Sequence, residues 1–105
     1  MSMQENLEAM LAAGQDSPLL RFTLGNLLFK QGVAKAAAEH LREAVRQDPG
    51  YSAAWKVYGK ALQALGDNDG AIQAFERGIA AARQKGDVQA AKEMQVFRKR
   101  LMKSV

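Results

Sequence analysis

Apolar side chains recur along this chain three and four residues apart. The sets are Leu7, Met10 and Leu11; Leu24 and Leu28; Leu41 and Val45; Tyr58 and Leu62; Phe75 and Ile79; and Ala90, Met94, Phe97 and Leu101. That interval keeps each set on one face of a helix and has no counterpart in the alternation of a strand. The polar stretches between the sets carry helix punctuation. Pro18 follows Asp16 and Ser17, a start signal in which either short side chain can accept orphan amide hydrogens. Gly32 ends that helix, Asp48-Pro49-Gly50 ends the next, and Ser52 is placed to cap the one after. Gly66 through Gly70 make a further turn, with Asp67 or Asn68 as the following cap, and Gly86-Asp87 makes the last break. The pattern predicts six helices, at about residues 3–13, 18–31, 34–47, 52–65, 68–84 and 87–103.

The middle of the chain repeats itself. Sliding residues 18–51 onto 52–85 superposes Gly25 on Gly59, Leu28 on Leu62, Gly32 on Gly66 and Ala37 on Ala71. Leu24 then meets Tyr58, Leu41 meets Phe75 and Val45 meets Ile79. A period of this length, made of two helices and a turn, marks a stacked array whose units cannot bury their apolar faces alone.

Two glycines inside otherwise good helical sequence need a reason, because each costs about 1 kcal/mol against alanine. Close approach of a partner helix supplies it for Gly25 and Gly59, with Ala37 and Ala71 small on the opposing helix. The large residues Leu24, Leu28, Leu41, Tyr58, Leu62 and Phe75 fill the space on either side. Each contributes roughly 1.5–3 kcal/mol on full burial.

These residues resemble the tetratricopeptide repeat, whose general pattern is W-x2-L-G-x2-Y, then A-x3-F, then A and P. The second unit supplies Trp55, Tyr58, Gly59, Leu62, Ala71, Phe75 and Gly78; the first supplies Arg21, Leu24, Gly25, Leu28, Ala37, Leu41, Ala44 and Pro49. Arg21 stands where tryptophan is usual, Gly78 where alanine is usual and Arg83 where proline is usual. The resemblance implies an all-α, short helical-hairpin solenoid in one domain. Residues 1–17 form an amino-terminal capping helix, 18–51 and 52–85 the two repeats, and 86–105 a carboxy-terminal capping helix. Two repeats and two flanking halves approach the three units that such arrays need.

The same resemblance implies a protein-interaction module or adaptor, with no catalytic role, that takes a peptide or helix of a partner into a concave groove. Leu19, Phe22, Asn26, Phe29 and Lys30 would line the groove in the first repeat, and Ala53, Lys56, Lys60, Gln63 and Ala64 in the second. Apolar rings beside two lysines suit an acidic or amphipathic segment. An alternative has Phe22 and Phe29 packing against the amino-terminal helix or a second copy. Some relatives grip the terminal carboxylate of chaperones with lysine, asparagine and arginine side chains. Only Asn26 matches that set, while Phe22, Val57, Asp87 and Ala91 stand at its other positions, which argues against a chaperone-tail receptor.

Length and composition narrow the alternatives. A chain of 105 residues suits one core, burying about 65% of the unfolded surface. No apolar run reaches about eighteen residues, so no membrane span or membrane partner is expected. The amino terminus, with Glu5 and Glu8 and no early base, does not read as a secretory leader, and cytoplasm is the default location. Zero cysteines exclude disulfides and thiolate metal sites. Charge is uneven: residues 1–17 carry a net −3, residues 86–105 a net +3, and the whole chain +4. Such asymmetry favours acidic partners at one end or head-to-tail contact between copies, set against the simpler reading of solvated cap faces.

Candidate chemistry is sparse, and no cofactor is expected. His40 is the only histidine, has no cysteine or second histidine to join it, and is expected to face solvent. Asp67, Asp69, Gly70, Ile72 and Glu76 fall near calcium-loop spacing, but the first ligand position would be Leu65, which offers no oxygen. Two further functional classes remain. Ala90, Met94, Phe97 and Leu101 could bury themselves against another copy and make a homodimer. Arg98, Lys99, Arg100 and Lys103 beside Phe97 form a short version of a nucleic-acid surface, the less expected of the two.

Overall fold

A computed structural model describes residues 1–104; Val105, the last residue of the expected carboxy-terminal cap, lies outside them. The chain forms α1 (Met3–Ala12), α2 (Pro18–Lys30), α3 (Ala34–Gln47), α4 (Ser52–Ala64), α5 (Asn68–Gln84) and α6 (Val88–Ser104), with no strand among the described residues. Helices α2 and α3 form one antiparallel hairpin and α4 and α5 the next, while α1 and α6 lie on the outer sides of the two hairpins.

Local chemistry sets the helix limits. Ser2 and Glu5 form a reciprocal capping box on α1. The Ser17 hydroxyl accepts the Leu20 amide at 3.1 Å, with Pro18 in the first turn of α2. Ser17, not Asp16, is therefore the cap. The Asp67 carboxylate accepts the Gly70 amide at 2.9 Å and caps α5. Ser52 makes no cap: Tyr51 occupies that position, and Ser52 is buried as the first helical residue. Gly14, Gly32, Gly66 and Gly86 follow four of the helices with φ between 74° and 87°. In that left-handed region a Cβ is strained, which ends each helix cleanly.

The glycines inside the helices mark where axes approach. A Cβ on Gly25 would lie 2.7 Å from Leu41 Cγ and 3.3 Å from the Ala37 carbonyl oxygen. On Gly59 it would lie 2.5 Å from Phe75 Cε1. Leu24, Leu41 and Phe75 are completely buried around these crossings, together with Ala37 and Ala71. Gly78 has a reason of the same kind, because a Cβ there would collide with the Met94 sulfur of α6 and lie 2.8 Å from Trp55 Cβ. The alanine usual at that position has no room once α6 is seated.

Three apolar clusters run through the stack. Leu24, Leu28 and Leu41 join Val57 and Ala61 of α4, with Leu7 and Leu11 of α1 against their outer side. Val45, Trp55, Ala74 and Ala81 link the two hairpins. Phe75, Ile79 and Ala82 join Ala91, Met94 and Leu101 of α6. The two outer helices differ in grip. Helix α1 buries no residue fully and leaves Met10, expected on its inner stripe, exposed. Helix α6 buries Met94 completely and leaves Leu101 only 4% exposed.

Replacing Gly59 with leucine should overpack its crossing with Phe75 and cost at least about 1–3 kcal/mol. A thermal melt should register a fall of about 4–8 °C per kcal/mol. Removing residues 87–105 should uncover Phe75, Ile79 and the half-buried Ile72. The shortened chain is expected to aggregate or to lose its cooperative transition, observable by light scattering and circular dichroism; an unchanged monomeric melt would mean that α6 does not complete the core.

Candidate functional site: the groove between alternate helices

The layering of the helices creates two unlike faces. Helices α2 and α4 contact each other, as do α4 and α6, whereas no Cα of α3 comes within 8 Å of one in α5. The layer of α2, α4 and α6 is therefore the tighter, inner one and lines the concave side. The layer of α3 and α5 splays on the convex side.

On the inner layer, Phe29 of α2, Lys60, Gln63 and Ala64 of α4, and Phe97 and Arg100 of α6 enclose a cavity of about 510 Å³. The Lys60 ammonium lies 4.7 Å from the centre of the Phe97 ring. A cation over an aromatic face is worth about 0.5–1 kcal/mol at an exposed site, and it keeps the charge close to the apolar floor. Phe97 itself rests on Phe75, with ring centres 5.6 Å apart, so its position is set by the core. Half-buried rings and two cations from adjacent helices thus share one concavity.

Only part of the expected groove set meets here. Phe29, Lys60 and Gln63 do, with Ala64. Phe22 does not: its ring packs 5.0 Å from that of Tyr51 and bridges two core clusters, making it a structural residue of the inter-repeat joint. That contact also differs from the alternative of packing on α1. Asn26 is half-buried on α2, Lys30 is exposed at its end, and Leu19 is 65% exposed at its start; none of the three lines the cavity. Ala53 and Lys56 belong to a separate hollow of about 240 Å³ shared with Asp87, Ala90 and Glu93. There the Lys56 ammonium donates to Glu93 Oε2 at 3.2 Å, so its charge is already matched within the chain.

The apolar stripe of α6 also requires correction. Met94 and Leu101 are buried against α5, and Phe97 and Ala90 are half-buried against the same cluster. The stripe closes this chain's own core and is not a free face for a second copy. Among the bases of the tail, Arg98 donates to Glu76 Oε2 at 2.9 Å, which further shortens the basic set. Arg100 and Phe97 of α6 line the Lys60 cavity as well, although the repeat pattern does not point to them, because they lie beyond residues 18–85.

A second polar cluster occupies the position where the family pattern has tryptophan. The Arg21 guanidinium donates through Nε and Nη2 to the two carboxylate oxygens of Asp16, at 2.9 and 3.0 Å, and its Nη1 lies 3.1 Å from His40 Nδ1. The bidentate Arg21 pair, with the Gln47 amide as a lesser cause, holds the Asp16 carboxyl at about 2. Burial, and then the nearby Arg21 charge, push His40 below its ordinary range. His40 is thus half-buried against Arg21 and does not face solvent freely. The cluster joins the α1–α2 connection to α3.

The tetratricopeptide repeat profile matches residues 28–94. The chain belongs to the tetratricopeptide repeat family. It is 57% identical over 99 residues to the TPR repeat-containing protein PA0015 of Pseudomonas aeruginosa, covering 94% of each chain. The solution structure of protein BPP2914 from Bordetella parapertussis superposes with a TM-score of 0.83 at 52% identity, covering 99% of this chain and 90% of that one. The crystal structure of the tetratricopeptide repeat domain protein from Salinibacter ruber gives 0.77 at 28% identity, covering 83% and 97%. Tetratricopeptide repeats are in general protein-interaction scaffolds without catalytic chemistry. No helix among the described residues of this tetratricopeptide repeat protein is long and apolar enough to cross a membrane.

The depressed Asp16 carboxyl predicts an acid-sensitive joint. A carboxyl whose pKa lies near 2 when folded and 3.8 when unpaired stabilises the fold above the higher value, and that contribution is lost as pH falls through the lower one. Changing Arg21 to alanine should return the Asp16 pKa toward 3.8, measured by carboxyl-carbon NMR titration. A titration unchanged by that substitution would remove Arg21 as the cause.

Proposed function

We propose that this protein is an adaptor whose concave groove seats an acidic, partly apolar segment of another protein. The reading takes residues 1–17 and 86–105 as caps that hold the two repeats, 18–51 and 52–85, in register. The observation that carries it is the cavity in which Lys60 lies over Phe97, with Phe29 and Arg100 on its other walls. Phe29 and Phe97 provide apolar anchorage, and Lys60 with Arg100 selects the sign of charge. Lys56 contributes little to that selection because Glu93 neutralises it.

The two kinds of contact carry different energies. An aromatic anchor buried at an interface centre is worth about 2 kcal/mol or more, whereas exposed cations supply about 1 kcal/mol or less and act mainly on rate and specificity. Affinity capture followed by binding measurements at two salt concentrations tests this. Phe29→Ala should weaken a captured partner about tenfold or more at either salt concentration. Lys60→Glu combined with Arg100→Glu should weaken it chiefly at low salt. Circular dichroism controls for folding, and a partner that binds both folded variants as well as wild type does not use the groove.

A further inference from the structure

The convex face holds a second concavity, independent of the groove. Because α3 and α5 splay apart, α4 is left as the floor of a furrow between them, enclosing about 450 Å³. That volume lies within the roughly 300–1,000 Å³ typical of ligand sites. Tyr58 and Leu62, with the small exposed edge of the buried Trp55, contribute the apolar floor, and Arg42, Arg46 and Arg77 stand along the two walls. The Trp55 indole Nε1 donates to the Pro49 carbonyl at 2.7 Å, so the ring's one polar atom is already satisfied. Its ring and that of Tyr58 are 6.2 Å apart, and the Arg77 guanidinium lies 5.8 Å from the Trp55 ring centre.

The charges in the furrow are not balanced. Arg46 pairs with Glu43, but neither Arg42 nor Arg77 forms an ion pair among the described residues. Asp67, the acid of the lining, is engaged at the amino terminus of α5, where it accepts the Gly70 amide. Arg42 on one wall and Arg77 on the other therefore stand beside the apolar floor without an ion-pair partner, with the Asp67 carboxylate at the α5 end of the same lining. Planar guanidinium forks match carboxylates bidentately and tolerate an aromatic neighbour better than ammonium groups do.

We propose that this furrow binds an acidic peptide segment of a partner protein, in which one large apolar side chain is flanked by carboxylates. The apolar side chain covers Trp55, Tyr58 and Leu62, and the flanking carboxylates reach Arg42 and Arg77. A nucleic-acid strand fits less well, since only two unpaired cations line the furrow. The furrow and the groove lie on opposite layers, so the adaptor can hold two partners at once.

Trp55 is the only tryptophan in the chain, which makes its fluorescence a reporter of the furrow. The probe is a capped peptide with one phenylalanine between two aspartates on each side, titrated into the full chain. Saturable change in Trp55 emission is expected, with amide shifts in NMR spectra concentrated at Gln73 and Ala74 and absent at Gln63 and Ala64. Arg42→Gln with Arg77→Gln should raise the Kd about tenfold or more, while Lys60→Gln with Arg100→Gln should leave it within about twofold. Arg42→Glu with Arg77→Glu should instead bind the corresponding lysine peptide, a gain that misfolding cannot produce. The proposal is overturned if the aspartate peptide does not saturate at millimolar concentration, if an asparagine version binds equally, or if a single-stranded oligonucleotide displaces it. Loss of binding in the Lys60 and Arg100 variant with retention in the Arg42 and Arg77 variant would also overturn it, assigning the peptide to the groove.

Discussion

The packing of α2 on α3, α4 on α5 and α5 on α6 depends on a backbone pressed against a bulky side chain. Leu41 lies over Gly25, Phe75 over Gly59 and Met94 over Gly78. Each glycine costs about 1 kcal/mol of helix propensity, yet it removes the one atom that would hold the opposing helix away. Burial of the large side chain, at roughly 1.5–3 kcal/mol, exceeds that cost. The third contact carries the same arrangement to α6, because Met94 packs on a glycine where the family pattern has alanine.

The two layers that these contacts join are unequally spaced. With α2, α4 and α6 drawn together, α3 and α5 stand apart, as the absence of direct approach between them shows. The inner layer then presents a groove in which Lys60 sits on Phe97, while the outer layer opens over Trp55 and Tyr58. The unequal spacing of the two layers thus accompanies both concavities. Their chemistry differs: the inner one has an ammonium and a guanidinium beside phenyl rings, and the outer one has guanidiniums beside an indole and a phenol.

The two outer helices are unequal for reasons visible in their side chains. Helix α6 inserts Met94 and Leu101 into the cluster around Phe75, making it part of the core. Helix α1 rests on Leu7 and Leu11 alone, both only half-buried. Its connection to the first hairpin is reinforced by the Asp16, Arg21 and His40 cluster, which follows directly from the arginine standing in the usual tryptophan position. An aromatic there would pack without pH dependence; the charged substitute makes this joint sensitive to acid.

Helix number, helix limits and the repeat were legible in the sequence because each depends on residues close together along the chain. The Ser17 and Asp67 caps, the glycines at the turns and the three-and-four spacing act within a few residues, and the observed helices differ from the expected ones by one residue at most at any end. Gly25 and Gly59 were legible for the same reason, as exceptions to good helical sequence. The groove was only partly so. Whether Phe22 lines a groove depends on where Tyr51 falls, and whether Lys56 carries free charge depends on Glu93, thirty-seven residues away. The stripe of α6 read equally well as a dimer face or a core face, since helical periodicity specifies that a face is apolar and not what covers it. Tertiary packing made that choice, because only the assembled stack brings Phe75 and Gly78 beneath α6 and turns Phe97 toward Lys60.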